Sequence, residues 1–175
     1  DDDIWKLSLN DSSSQASRIT AGRGPSTHPH ISPDGKNLAY CGRESGELGI
    51  YLMPATGGPA ERISHMEGVK IVGWEDSQNL ILSSNDESPF AKRMFLYRFN
   101  LKEQTTLKMP YGPGTQYDRD EEGNIVIGRN CGDPAYWKRY RGGTAGSLWV
   151  KTAKKKSFQH ILKSLQTNLT NPRLI

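Results

Sequence analysis

The sequence predicts an all-β fold: a partial β-propeller of about three to four four-stranded blades, part of a larger ring. Three features predict it. An aliphatic residue is followed directly by an aromatic one at Ile4-Trp5, Ile50-Tyr51, Leu96-Tyr97 and Leu148-Trp149, at spacings of 46, 46 and 52 residues. Recurrence near about 45 residues, roughly four strands, is the length of one propeller blade. Turn formers are plentiful, with 18 Gly and 10 Pro in 175 residues, as many short strands require. A turn then recurs between the first and second strand of each repeat: Ser32-Pro33-Asp34-Gly35, Glu75-Asp76-Ser77-Gln78 and Asp120-Glu121-Glu122-Gly123.

The elements follow in order. Asp3 to Leu7 and Ser17 to Thr20 read as the last two strands of a half blade, 1–20, with a polar turn between them. The blade 27–64 has strands at Thr27–Ile31, Asn37–Tyr40, Gly49–Met53 and Ala60–Ser64, the last two joined through Thr56-Gly57-Gly58. The blade 69–110 repeats this with Lys70–Trp74, Asn79–Ser83, Met94–Phe99 and Gln104–Lys108. The blade 114–162 has strands at Gly114–Asp118, Asn124–Gly128, Ser147–Lys151 and Ser157–Leu162, and carries an inserted loop over 129–146. Residues 168–175 read as the start of the next blade.

Composition narrows the function classes. There is no apolar run of about 18 residues, so no spanning helix is expected. Mean hydropathy is −0.69. The N-terminus lacks Met and any basic-then-apolar leader, and reads as a start inside a longer protein. The charge of +4 and pI near 9.1 admit an acidic partner. Lys154, Lys155 and Lys156, however, read as a solvated turn. The two cysteines, Cys41 and Cys131, lack partners at metal-ligand spacing and fit a reducing compartment.

Candidate chemistry is sparse. A nucleophile needs a base and an orienting group, and no Gly-x-Ser-x-Gly elbow occurs; Ser26 near His28 and His30 reads as a loop coincidence. His28-x-His30 would place two imidazoles on one strand face, but a metal needs further ligands that no cluster supplies. Asp34, Asp76 and Asp120 recur at the repeat spacing and read as turn residues accepting backbone N–H groups. No catalytic residue, metal or cofactor is expected in this chain.

The segment Arg129 to Gly146 is the one candidate contact site, because it exceeds what a blade connection needs. It interleaves Tyr136, Trp137 and Tyr140 with Lys138, Arg139 and Arg141. Structural or inter-domain packing ranks first for these residues, then channel lining or peptide contact through Arg129, Trp137, Lys138, Arg139, Tyr140 and Arg141, with nucleic acid last. Gly142 to Gly146 precede a strand rather than a helix, so they are not a phosphate loop.

Two patterns carry a resemblance. Pro-x-hydrophobic-Ser-Pro-Asp-Gly-Lys with a later Gly-Gly-x-x-x-Arg-Ile-Ser/Thr resembles TolB and tricorn repeats. Trp137-Lys138-Arg139-Tyr140-Arg141-Gly142-Gly143-Thr144-Ala145-Gly146, flanked by Ile127-Gly128-Arg129-Asn130 and Leu148-Trp149, resembles the N-terminal six-bladed propeller of the tricorn protease family. The resemblance extends from Asp2 to Pro172. It implies a non-catalytic module of a cytoplasmic, hexameric serine peptidase with a second propeller, a PDZ-like domain and a catalytic region. The module would frame a channel for oligopeptides and contact other domains of its own chain, with the catalytic residues beyond Ile175. The alternative is a TolB-like scaffold for protein–protein interaction. Nucleic acid and membrane are not expected partners.

Overall fold

The computed structural model describes residues 2–174 except 11–12, 23, 44–45, 67, 132–144 and 165–168. Among the described residues the chain is all-β, with 14 strands and no helix. β1 (Trp5–Lys6) and β2 (Ser17–Arg18) pair as a two-stranded ribbon. Three four-stranded antiparallel sheets follow. The first holds β3 (Thr27–Ile31), β4 (Asn37–Gly42), β5 (Gly49–Pro54) and β6 (Glu61–Ser64). The second holds β7 (Lys70–Trp74), β8 (Asn79–Ser84), β9 (Phe95–Asn100) and β10 (Thr105–Pro113). The third holds β11 (Gln116–Arg119), β12 (Ile125–Arg129), β13 (Ser147–Lys151) and β14 (Gln159–Ile161).

Within each sheet the spatial order is the chain order, as a meander of hairpins requires. β3 lies beside β7, and β7 beside β11. The first strands therefore line a common axis, and β6, β10 and β14 lie outermost.

The sheets stack face to face, which explains the residue pattern of their second and third strands. A strand buried on both faces reads as a continuous apolar run rather than an alternation. In β4, Leu38 and Tyr40 pack with Tyr51, Met53 and Ile4 of the N-terminal segment. Their neighbours Ala39 and Cys41 point the other way, joining Ile50 and Ile63 against Ile71, Leu80, Leu82, Tyr97 and Phe99 of the second sheet. β8 repeats the division: Ile81 turns away from Leu80 and Leu82 and packs with Leu96 against Tyr117, Ile125 and Ile127 of the third sheet.

Polar latches tie adjacent sheets at the β7 turn. Trp74 Nε1 donates to the His30 carbonyl at 3.0 Å, joining the first and second sheets. Glu75, whose side chain is only 5% exposed, joins the second to the third. It accepts from Arg119 Nη1 at 2.8 Å, the Tyr117 hydroxyl at 3.1 Å and Arg98 Nη2 at 3.0 Å. Arg98 Nε lies 2.6 Å from the other carboxylate oxygen as a charge contact lacking hydrogen-bond alignment.

Two features depart from simple repetition. β10 continues to Pro113, past the Lys108 limit that its sequence suggests, with an irregularity between Lys108 and Pro113. Met109 and Tyr111 use this stretch to pack toward the third sheet, and burial outweighs the breaking tendency of Pro110 and Gly112. Residues 169–174 form no strand. They run beside β11 on side-chain partners: Asn171 N donates to Gln116 Oε1 at 2.7 Å and Leu174 N to Asp118 Oδ2 at 2.7 Å. Thr170-Asn171-Pro172-Arg173-Leu174 mirrors Thr27-His28-Pro29-His30-Ile31, including a positive φ before each proline, 53° at Asn171 and 54° at His28.

Candidate functional site

The inner strands surround a cavity of about 980 Å³. β3, β7 and β11 wall it, the 85–94 connection and Asn130-Cys131 rim it, and Asn171 to Arg173 close one side. Its mouth opens where the β8–β9 and β12–β13 connections leave the strands. The Asp34, Asp76 and Asp120 turns lie at the opposite strand ends.

The cavity is cationic. Its charged lining consists of Lys70, Lys92, Arg93 and Arg173, together with His28 and His30, and no Asp or Glu lines it among the described residues. Arg173 reaches Asp118 at 3.6 Å, whereas Lys70, Lys92 and Arg93 make no ion pair among the described residues. Burial, and then the charges of His28 and Arg173, hold the His30 imidazole below its ordinary pKa. Two polar atoms at the wall are buried without a hydrogen-bond partner, Ser83 Oγ and Asn85 Oδ1. Lys70 stands directly across from Ser83 in the β7–β8 ladder, so both side chains share a face. Asn85 is seated by a backbone device: a Cβ on Gly68, whose φ is +54°, would collide with Asn85 Oδ1.

Of the residues singled out from sequence, Arg129 is described and Trp137, Lys138, Arg139, Tyr140 and Arg141 lie outside the described residues. Arg129 ends β12 and does not line the cavity. Its guanidinium lies over the Trp149 ring at 4.2 Å, and Trp149 in turn stacks on His160 at 4.8 Å. Arg129 Nη2 donates to the Tyr111 carbonyl at 3.1 Å, and burial lowers its pKa. These contacts tie the third sheet to the β10 extension.

The remaining motifs resolve into structure. Asp34 accepts from Ser32 Oγ and Lys36 N, Asp76 from Gln78 N and Asn79 N, and Asp120 from Asn124 N, at 2.6 to 3.2 Å. The Ser32 hydroxyl lowers the Asp34 pKa first, and the Asn124 amide that of Asp120; at Asp76 partial burial opposes the hydrogen bonds and loses. His28 and His30 do not follow simple alternation, because the ladder slips between Thr27 and His30; both nonetheless line the cavity. Ser26 Oγ is buried without a partner, so no base activates it among the described residues. No group of three or more His, Cys, Asp or Glu could hold a metal among the described residues. Both cysteines are buried free thiols, and burial pushes Cys131 up to about 11. No helix of the described residues is long and apolar enough to cross a membrane.

Sequence reasoning missed the cationic lining. Lys70, Lys92, Arg93 and Arg173 are far apart in the chain, and only the radial arrangement gathers them. A usable signal existed for Lys70 and the two histidines, since every first strand of a repeat faces the axis.

Antiparallel four-stranded sheets, meandering outward from a shared axis and stacked face to face, define a β-propeller array. The family model described as the tricorn protease N-terminal beta propeller domain matches residues 1–175, and the chain belongs to that family. It is 32% identical over 179 residues to a tricorn protease homolog of Saccharolobus solfataricus, covering 100% of this chain and 16% of that protein. A tricorn-like protease N-terminal subunit of Sulfurisphaera tokodaii is 31% identical over 154 residues, covering 86% of this chain and 77% of that protein. Among solved structures, the crystal structure of the tricorn protease superposes with a TM-score of 0.80 at 26% identity, over 99% of this chain and 18% of that one. TolB from Acinetobacter baumannii shares the fold, with a TM-score of 0.66 at 15% identity over 90% of this chain and 37% of that one. The chain thus spans about a sixth of the first of these relatives.

Proposed function

We propose that the chain is the non-catalytic propeller portion of a tricorn-like serine peptidase, framing a channel for oligopeptides and contacting other domains of the same chain. The observation that carries this reading is the axial cavity, which is large enough for a peptide segment. Family membership supplies the peptidase context. In this reading 1–20 is a half blade, 27–64, 69–110 and 114–162 are blades, and 168–175 opens a further one, for which the Thr170–Leu174 mirror of Thr27–Ile31 is the support. The Trp137 to Arg141 insertion contributes contacts to neighbouring domains, in a cytoplasmic hexameric assembly.

The test compares residues 1–175 with the full encoded polypeptide on fluorogenic peptides of increasing length. The short chain is expected to give no turnover. In the full polypeptide, Gln116→Trp, which narrows the cavity, is expected to slow long peptides and spare single-residue amides. Turnover by residues 1–175 that disappears on a substitution within them refutes the non-catalytic reading. Length-independent kinetics in the Gln116→Trp variant refute the channel.

A further inference from the structure

We propose that the axial cavity selects acidic oligopeptides, whose Asp and Glu side chains meet Lys70, Lys92, Arg93 and Arg173. This deepens the channel reading and rests on it. The chain as a whole is nearly balanced, with 23 Lys and Arg against 19 Asp and Glu, yet the cavity lining among the described residues contains cations and no carboxylate. Carboxylates near the cavity are engaged with other groups: Asp118 pairs with Arg173 and Glu87 with Lys108. Asp34, Asp76 and Asp120 are held in turns, and Glu75 is clamped by Arg98 and Arg119. A concave surface of one sign with low-dielectric walls focuses its field and raises the local concentration of the opposite charge.

The wall also offers directional contacts. Ser83, 2% exposed, leaves its hydroxyl without a partner, and Asn85 leaves its side-chain oxygen so. Together they suit a carboxylate and a backbone N–H of one extended peptide, with Lys70 opposite Ser83 as counter-charge. Arg93 at the mouth brings a fork that matches a carboxylate. Phe90 is 61% exposed on the same rim and gives apolar neighbours of the acidic residue a surface. Single-stranded nucleic acid fits less well. Its binders stack successive bases on free aromatic faces, whereas among the described residues the aromatic lining is Phe90 and Tyr117, the latter buried with its hydroxyl on Glu75.

The experiment measures fluorescence anisotropy on the full encoded polypeptide with labelled peptides of about eight residues, acetylated and amidated so that only side chains carry charge. A Glu-rich peptide, its Gln counterpart and its Lys counterpart are compared at about 50 mM and about 500 mM salt, where screening differs severalfold. An oligothymidylate of similar length is the fourth probe. The Glu peptide is expected to bind about tenfold or more tighter than the Gln peptide at low salt, and the preference to collapse at high salt. The combined variant Lys70→Ala, Lys92→Ala, Arg93→Ala is expected to abolish the preference, and Lys154→Ala, Lys155→Ala, Lys156→Ala to keep it. Lys70→Arg, which retains charge, is expected to retain it as well. Equal binding of the Glu and Gln peptides overturns acid selectivity and leaves the channel reading standing. Failure of every peptide to bind overturns both. Tighter binding of oligothymidylate, or a preference that survives the cavity triple variant, also overturns the proposal.

Discussion

Glu75→Ala tests whether adjacent sheets are held by more than apolar contact. The carboxylate is almost fully buried between the second and third sheets, whereas its partners Arg98 and Arg119 have side chains 36% and 44% exposed. Removing one member of a fully buried ion pair costs about 3–5 kcal/mol, because the other charge is stranded. Here both guanidinia rehydrate after truncation, so their share falls to about 1–2 kcal/mol. Tyr117 does not rehydrate: it is 6% exposed, and its hydroxyl loses its acceptor for about another 1–2 kcal/mol. The sum is about 3 kcal/mol, or about 6–12 °C in Tm for a domain of this size. Urea unfolding followed by tryptophan fluorescence reads it as a lower midpoint with unchanged slope. Glu122→Ala, on an exposed turn, is the control and is expected within about 0.5 kcal/mol of wild type. The double variant with Arg119→Ala is expected to lose less than the sum of the singles. A Glu75→Ala loss below about 0.5 kcal/mol, or strict additivity with Arg119→Ala, refutes the latch.

Three further outcomes are expected. Arg129→Ala loses the Trp149 face and the Tyr111 carbonyl, costing about 1–2 kcal/mol by urea unfolding, and Arg129→Lys does not restore it because the planar contact is gone; full rescue by lysine contradicts this. His30 has a folded pKa below its unfolded value near 6.5, so the unfolded chain takes up the proton first. Its contribution is therefore intact above about pH 6.5 and declines as pH falls through that value; His30→Asn should flatten this part of the stability–pH curve, and an unchanged slope counts against it. Cys41 and Cys131 are buried thiols, with Cys131 raised to about 11, so a chromogenic disulfide reagent at pH 8 should find neither in the native chain and both in denaturant; rapid labelling of either in the native chain contradicts the burial.

How much of this was legible in sequence depends on the range of the signal. The second and third strands were legible because burial on both faces demands local apolar runs such as Leu38-Ala39-Tyr40 and Leu80-Ile81-Leu82. The turns were legible because Asp34, Asp76 and Asp120 satisfy backbone groups two to four residues on. The end of β10 was not, since Pro110 and Gly112 break strands locally while Met109 and Tyr111 are held by a sheet that comes later in the chain. The same distinction governs the candidate site. The aromatic and basic cluster after Arg129 announces itself by composition, yet Arg129 itself braces Trp149. The cavity cations carry no local signature at all, because each is an ordinary lysine or arginine until the propeller turns its strand toward the axis. Repeat proteins therefore hide their sites in register. The productive reading of such a sequence aligns the repeats first and compares residues at axis-facing positions across blades, as His30 and Arg173 pair across the Thr27–Ile31 and Thr170–Leu174 mirror.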